Sequence, residues 1–156
     1  MTLKNLKVYN LFLIVSILIL LIGFYRSTDP NSILDINVHD TYFVISNYHC
    51  TLVLFTLYFL TGLLYWLFEK LPKKRLIKPL TLIHTIILIG SFVFYWLVVL
   101  YSKLLPGDPN FPLFDYGSQL INITLVNEFL LIIFVAVPVF IINLLIGLFR
   151  TKEIVN

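Results

Sequence analysis

The sequence predicts an all-α integral membrane protein, a single antiparallel bundle of four transmembrane helices over residues 1–156. Of its 156 residues, 60% are hydrophobic and only 12% are charged, and the mean hydropathy is +0.97. A soluble domain has about 45–50% apolar and about 25% charged residues, so this chain has too few charges to cover a globule in water. Its length is that of one ordinary domain.

Four apolar stretches define the predicted helices. They cover about residues 8–25, 42–68, 80–100 and 126–149. Each is close to or longer than the roughly 20 residues that a helix needs to cross about 30 Å of hydrocarbon. The first stretch is predicted to be a retained helix, because it is long and no small-x-small cleavage site follows it. Residues 26–41 and 101–125 are then two longer loops on one side of the membrane.

The basic residues predict the orientation of the bundle. Residues 26–41 and 101–125 contain only Arg26 and Lys103. The other nine of the eleven basic residues flank the opposite side: Lys4, Lys7, Lys70, Lys73, Lys74, Arg75, Lys78, Arg150 and Lys152. The positive-inside rule therefore predicts that both termini are cytoplasmic, in what we expect to be a bacterial inner membrane. Because topology accounts for the net charge of +3, no nucleic-acid partner is predicted.

Few residues inside the spans can carry chemistry. Ionisable groups in a membrane are costly and therefore mark candidate sites; here they are His49, His84 and Glu128. His84 is expected to be structural, and Glu128 to lie near a helix N-terminus, where the helix dipole favours a carboxylate. The single cysteine, Cys50, excludes a disulfide within the chain.

The densest polar segment, LDINVHDTYFV at residues 34–44, points to a known family. It resembles, almost position by position, the outer loop before the tenth transmembrane helix of subunit I of the haem–copper (cytochrome c) oxidases. The likeness extends more weakly over nearly the whole chain. It implies that the four spans correspond to helices nine to twelve of that subunit, with no counterpart here of the first eight.

The resemblance also implies which haem ligands are degenerate. In the family, two histidines at positions i and i+2 of the tenth helix serve different haems, and Asn47 and His49 stand at these positions. Two residues at 100° each turn the side chains to opposite helix faces. Asn47 replaces the ligand of the oxygen-reactive haem, and an amide binds iron poorly. The copper ligands of the family lie on earlier helices. The resemblance therefore implies that the chain is not an oxygen-reducing enzyme.

The resemblance indicates two candidate cofactors, a haem and a magnesium ion. His49 matches the axial ligand of the low-spin haem, and Tyr42, His39 and Asp40 match residues near its propionates. The last two also match magnesium ligands, and hard oxygen ligands suit Mg²⁺. If residues 40–49 are helical, Asp40 and His49 are about 13 Å apart. The alternatives are that Asp40 or Thr41 caps the second helix and that His49 is a buried structural histidine.

Two functions follow, and the sequence leaves both open. The first is a non-catalytic accessory or assembly component of a larger complex of the respiratory chain, with other membrane subunits or a second copy as partners. The alternative is a small haem-binding electron-transfer protein with His49 as axial ligand. His84 cannot complete that site, because the expected helix positions place the two histidines roughly 14 Å apart in depth. A transporter or channel is disfavoured, since no span carries a polar stripe.

The charge distribution makes the topology testable by cysteine labelling in a Cys50→Ser background. We expect Lys74→Cys to be protected from an impermeant maleimide in intact cells and Asp40→Cys to be labelled. Labelling of residue 74 from outside would overturn the predicted orientation.

Overall fold

The computed structural model describes residues 7–29, 33–71, 75–105 and 116–149. Its four long helices are apolar enough to cross a membrane and run alternately up and down: α1 (Val8–Arg26), α2 (Asn47–Lys70), α3 (Lys78–Ser102) and α4 (Tyr116–Phe149). The predicted helical membrane fold is therefore confirmed. Between α1 and α2 the chain adds a hairpin of two strands: β1 (Ile33–Val38) and β2 (Thr41–Ser46).

Two predicted helix starts are wrong. The second helix begins at Asn47 instead of residue 42, because residues 41–46 (TYFVIS) are aromatic and β-branched and pair with β1. The fourth begins at Tyr116 instead of residue 126, because the first ten residues of this helix are too polar to register as an apolar run. The first connection between helices, at residues 27–46, is therefore longer than predicted, and the second, at residues 103–115, is shorter. The spans predicted at 8–25 and 80–100 agree with α1 and α3 within two residues.

The hairpin turns at His39 and Asp40. Val38 pairs with Thr41, so the connection has two residues, and His39 takes a φ of 59°. Two-residue hairpin turns require such a positive φ at their first central position. Asp40 therefore lies in the hairpin turn, and Thr41 is the first residue of β2. Both are at least six residues before the start of α2 at Asn47. The prediction that one of them caps α2 is wrong.

The bundle has a hairpin end, where α1 stops and α2 starts, and a basic end, where α2 stops and α3 starts. At the basic end the Lys7 ammonium donates to the Glu69 carboxylate, and this hydrogen bond raises the pKa of Lys7. Both side chains are about half exposed, so the pair stabilises the fold little. Five basic residues behind the topology prediction lie outside the described residues: Lys4, Lys73, Lys74, Arg150 and Lys152.

The four helices pack as two pairs. The first is α1 with α2, and the second is α3 with α4. In the first pair, a Cβ atom built on Gly23 would collide with the side chain of Thr51, and one on Gly62 would lie 3.2 Å from Phe12 Cβ. Small residues let helices approach closely in lipid, where contact and hydrogen bonding replace the hydrophobic effect.

An aromatic seam joins the two pairs in the half of the bundle nearer the basic end. Its members are Phe12, Tyr58, Tyr65, His84 and Phe140. The His84 ring stacks on Phe140 at 4.5 Å between centroids, and Tyr58 Oη donates to the Leu88 carbonyl at 2.6 Å. The side chains of the seam are long, so they join helices whose backbones are not close to each other.

Two features of α4 depend on its own sequence. Ile132–Ala136 is π-helical and ends two residues before Pro138, which has no N–H to continue an α-helical ladder. Farther on, the fully buried Asn143 accepts from the Ile77 amide at 2.8 Å and donates to Thr81 Oγ1 at 2.8 Å. Asn143 therefore satisfies an amide at the start of α3 and ties the two helices together.

Replacing Gly23 with alanine should loosen the first helix pair. We expect Gly23→Ala to lower stability by about 1–3 kcal/mol, because the new methyl group overpacks against Thr51. Gly90→Ala is the matched control, since nothing lies within 4 Å of a Cβ there. Thermal unfolding in one detergent measures both variants, and equal melting temperatures would contradict the close contact.

Candidate functional site between the helix pairs

The two positions that match haem ligands in the resembled family lie on opposite sides of α2. Asn47 is 6% exposed and faces the interior of the bundle. His49 is exposed, and its ring contacts the neighbouring Tyr48 edge-on at 5.7 Å between centroids. The expectation that His49 is a buried structural imidazole is therefore wrong. A metal bound to His49 would lie on the outer surface of the bundle.

The residues expected around the haem propionates do not gather near His49. His39 and Asp40 are at the tip of the hairpin with side chains 92% and 96% exposed, and Tyr42 is 71% exposed. The expected 13 Å of helix is wrong, because residues 41–46 are a strand. At about 3.3 Å per residue, that strand places Asp40 roughly 20 Å along the chain from the start of α2.

The described part of the chain does not by itself assemble a magnesium site at His39 and Asp40. Their nearest polar atoms, Nε2 and Oδ2, are 3.8 Å apart. Within the described ranges, no cluster of three or more histidine, cysteine, aspartate or glutamate side chains is placed to hold a metal ion. Further ligands would therefore have to come from elsewhere.

His84 is sealed inside the aromatic seam. It is 2% exposed, and its Nδ1 lies 2.8 Å from Tyr65 Oη. Tyr65 is sixteen residues beyond His49, about 24 Å along the axis of α2. This geometry gives His84 a packing role, in line with the prediction, and places it too far from His49 to share one iron.

Toward the hairpin end, the two helix pairs separate around a cavity of about 210 Å³, called here the seam cavity. All four helices and the hairpin contribute to its wall, which is mostly apolar. Its polar lining residues are few: Arg26, Asn47, Cys50, Thr51, Ser91 and Glu128. Thr51 Oγ1 donates to the Asn47 carbonyl at 2.7 Å, so that hydroxyl is satisfied within α2.

Glu128 lies in an environment different from the one that the sequence predicts. It lies twelve residues inside α4 rather than at a helix N-terminus. Its Oε1 is buried and has no hydrogen-bond partner among the described residues. Arg26 lines the same cavity, with its guanidinium 5.9 Å from the centre of the Trp96 ring. Glu128 and Arg26 form no ion pair with each other in the described structure.

A pair of hydrogen bonds fixes the hairpin beside this site. The Asn37 amide donates to Asn122 Oδ1 at 2.7 Å, and Asn122 Nδ2 donates to the Asn37 carbonyl at 2.8 Å. The side chain from α4 thus pairs with the free edge of β1 as a neighbouring strand would. The sequence indicates no structural role for Asn122, because no local pattern shows that residues 85 positions apart are in contact.

Comparison with known proteins identifies the family of the chain. The model of the family "Cytochrome C and Quinol oxidase polypeptide I" matches residues 1–137. The chain belongs to this family. Neither the curated proteins nor the solved structures contain a significant match. The family match agrees with the resemblance seen at residues 34–44, and it leaves open which helices of subunit I the chain corresponds to.

Asn122→Ala should release the hairpin from α4. Each lost hydrogen bond contributes about 0.5–1.5 kcal/mol, so we expect amide hydrogen exchange in β1 to become faster by about tenfold. Asn127→Ala, an exposed asparagine on the same helix, is the control and should leave exchange unchanged. Unaltered protection of β1 in Asn122→Ala would show that other contacts hold the hairpin.

Proposed function

We propose that this member of the oxidase subunit I family is non-catalytic and acts as an accessory or assembly component of a larger membrane complex. One observation carries the proposal: Asn47, the residue matching a ligand of the oxygen-reactive haem, is buried and lines the seam cavity. An iron held from this side of α2 would meet an amide instead of an imidazole.

The surroundings of Asn47 support the same conclusion. At about 210 Å³ the seam cavity is below the roughly 300–1,000 Å³ of typical ligand pockets, and a haem is a large ligand. The histidines of the chain are elsewhere: His39 and His49 are exposed, and His84 is sealed among aromatic rings. No histidine lines the seam cavity.

The hairpin supports an accessory role through its exposed apolar strand. Tyr42, Phe43 and Val44 are 71%, 49% and 63% exposed. These residues belong to the hairpin and not to any of the four candidate membrane-spanning helices. Clustered exposed apolar side chains outside such helices mark interaction surfaces, so we infer that another membrane subunit or a second copy covers this strand. The cytoplasmic placement of both termini and the bacterial inner membrane remain parts of this proposal.

The alternative, a haem-binding electron carrier, has one observation in its favour. His49 is exposed on the outer face of α2, where a ligand from a second chain can approach. In that case the haem lies between two chains, and the seam cavity plays no part in binding it.

Haem titration of the purified chain separates the two functions. We expect wild type and His49→Ala to show the same weak Soret response, since the chain offers His49 no second ligand. A Soret band that requires His49 would instead support the electron carrier. With haem and copper supplied, wild type should consume no oxygen, and Asn47→His should not restore consumption. Turnover by either protein would contradict the non-catalytic proposal.

A further inference from the structure

The first feature of the seam cavity that bears on a ligand is the carboxylate of Glu128. A buried polar atom without a partner costs free energy, and a buried carboxylate more so unless a cation accompanies it. Glu128 Oε1 is buried without a partner among the described residues. A ligand group that both donates hydrogen bonds and carries a positive charge would satisfy this oxygen.

The second feature is the guanidinium of Arg26, whose positive charge favours an anionic ligand group. Its guanidinium lies beside the Trp96 ring and is not paired with Glu128. Guanidinium groups suit phosphate, because their planar donors match its oxygens. The cavity therefore presents an acid and a base that do not neutralise each other, a pattern that complements a zwitterion.

A separate apolar groove also lies along α2. It shares no lining residue with the seam cavity, although both are built partly from α2. The groove residues on α2 include Leu57, Thr61 and Leu64, and Phe140 of α4 completes its wall. From Leu52 to Leu64 is twelve residues, about 18 Å along the axis, which is close to the hydrocarbon depth of one leaflet and suits an acyl chain.

We propose that the seam cavity binds the headgroup of an aminophospholipid with a primary ammonium, such as phosphatidylethanolamine. The ammonium donates to Glu128, and the phosphate lies against Arg26. A choline headgroup has no N–H to donate, and a glycerol headgroup has no cation. Because Arg26 belongs to α1 and Glu128 to α4, the lipid links the two helix pairs.

Lipid competition on the purified full chain in detergent, read by native mass spectrometry, tests the proposal. The lipids are phosphatidylethanolamine, phosphatidylcholine and phosphatidylglycerol with identical acyl chains. We expect wild type to retain phosphatidylethanolamine about tenfold over phosphatidylcholine, since a charged hydrogen bond corresponds to about one decade in affinity. Glu128→Gln should reduce this ratio to about one. Asp35→Asn, an exposed carboxylate on β1, should keep it.

A second variant separates the two headgroup contacts. Arg26→Gln should weaken phosphatidylethanolamine and phosphatidylcholine equally and leave their ratio unchanged, because both lipids share the phosphate. Equal retention of all three lipids by wild type would overturn the proposal and identify non-selective lipid in the groove. So would a preference that survives Glu128→Gln. If that variant fails to fold by circular dichroism, the wild-type ratio and Arg26→Gln still decide the outcome.

Discussion

The buried hydrogen bonds of two tyrosines hold the helix pairs of this bundle together. Tyr58 donates to the Leu88 carbonyl, and Tyr65 meets His84, at 2.6 and 2.8 Å. In lipid, apolar surface gains little by meeting other apolar surface, so packing and buried hydrogen bonds decide how helices associate. The aromatic rings that carry these groups also set the spacing between the pairs. The seam is consequently filled in one half and open in the other, and the seam cavity follows from this.

The open half of the seam contains two polar residues of the candidate site, Asn47 and Glu128. Asn47 is there because α2 begins immediately after β2, which turns the first residue of the helix inward and His49 outward. Glu128 is there because α4 starts ten residues earlier than its apolar run, and its first turns lie alongside the hairpin through Asn122. The hairpin therefore determines both what the cavity contains and what the outer face of α2 presents.

The contacts that hold the bundle are compatible with the proposed loss of a haem ligand at residue 47. The contacts that hold the bundle lie in the aromatic seam and at Gly23 and Asn143. None of them depends on the identity of residue 47. The replacement of an imidazole by an amide that we propose at that position would therefore cost little packing.

The sequence by itself determined the four membrane-spanning helices and the family. Each residue of a span meets the bilayer individually, so scarce charges and long apolar runs are sufficient to predict the membrane-spanning helices. The HDTY segment at residues 39–42 is specific enough to indicate the family. Only the tertiary structure decided that residues 41–46 form a strand, that His49 is exposed, and that Glu128 shares a cavity with Arg26. These features arise from contacts between residues distant in the chain, such as Asn37 with Asn122, and no local pattern records such contacts.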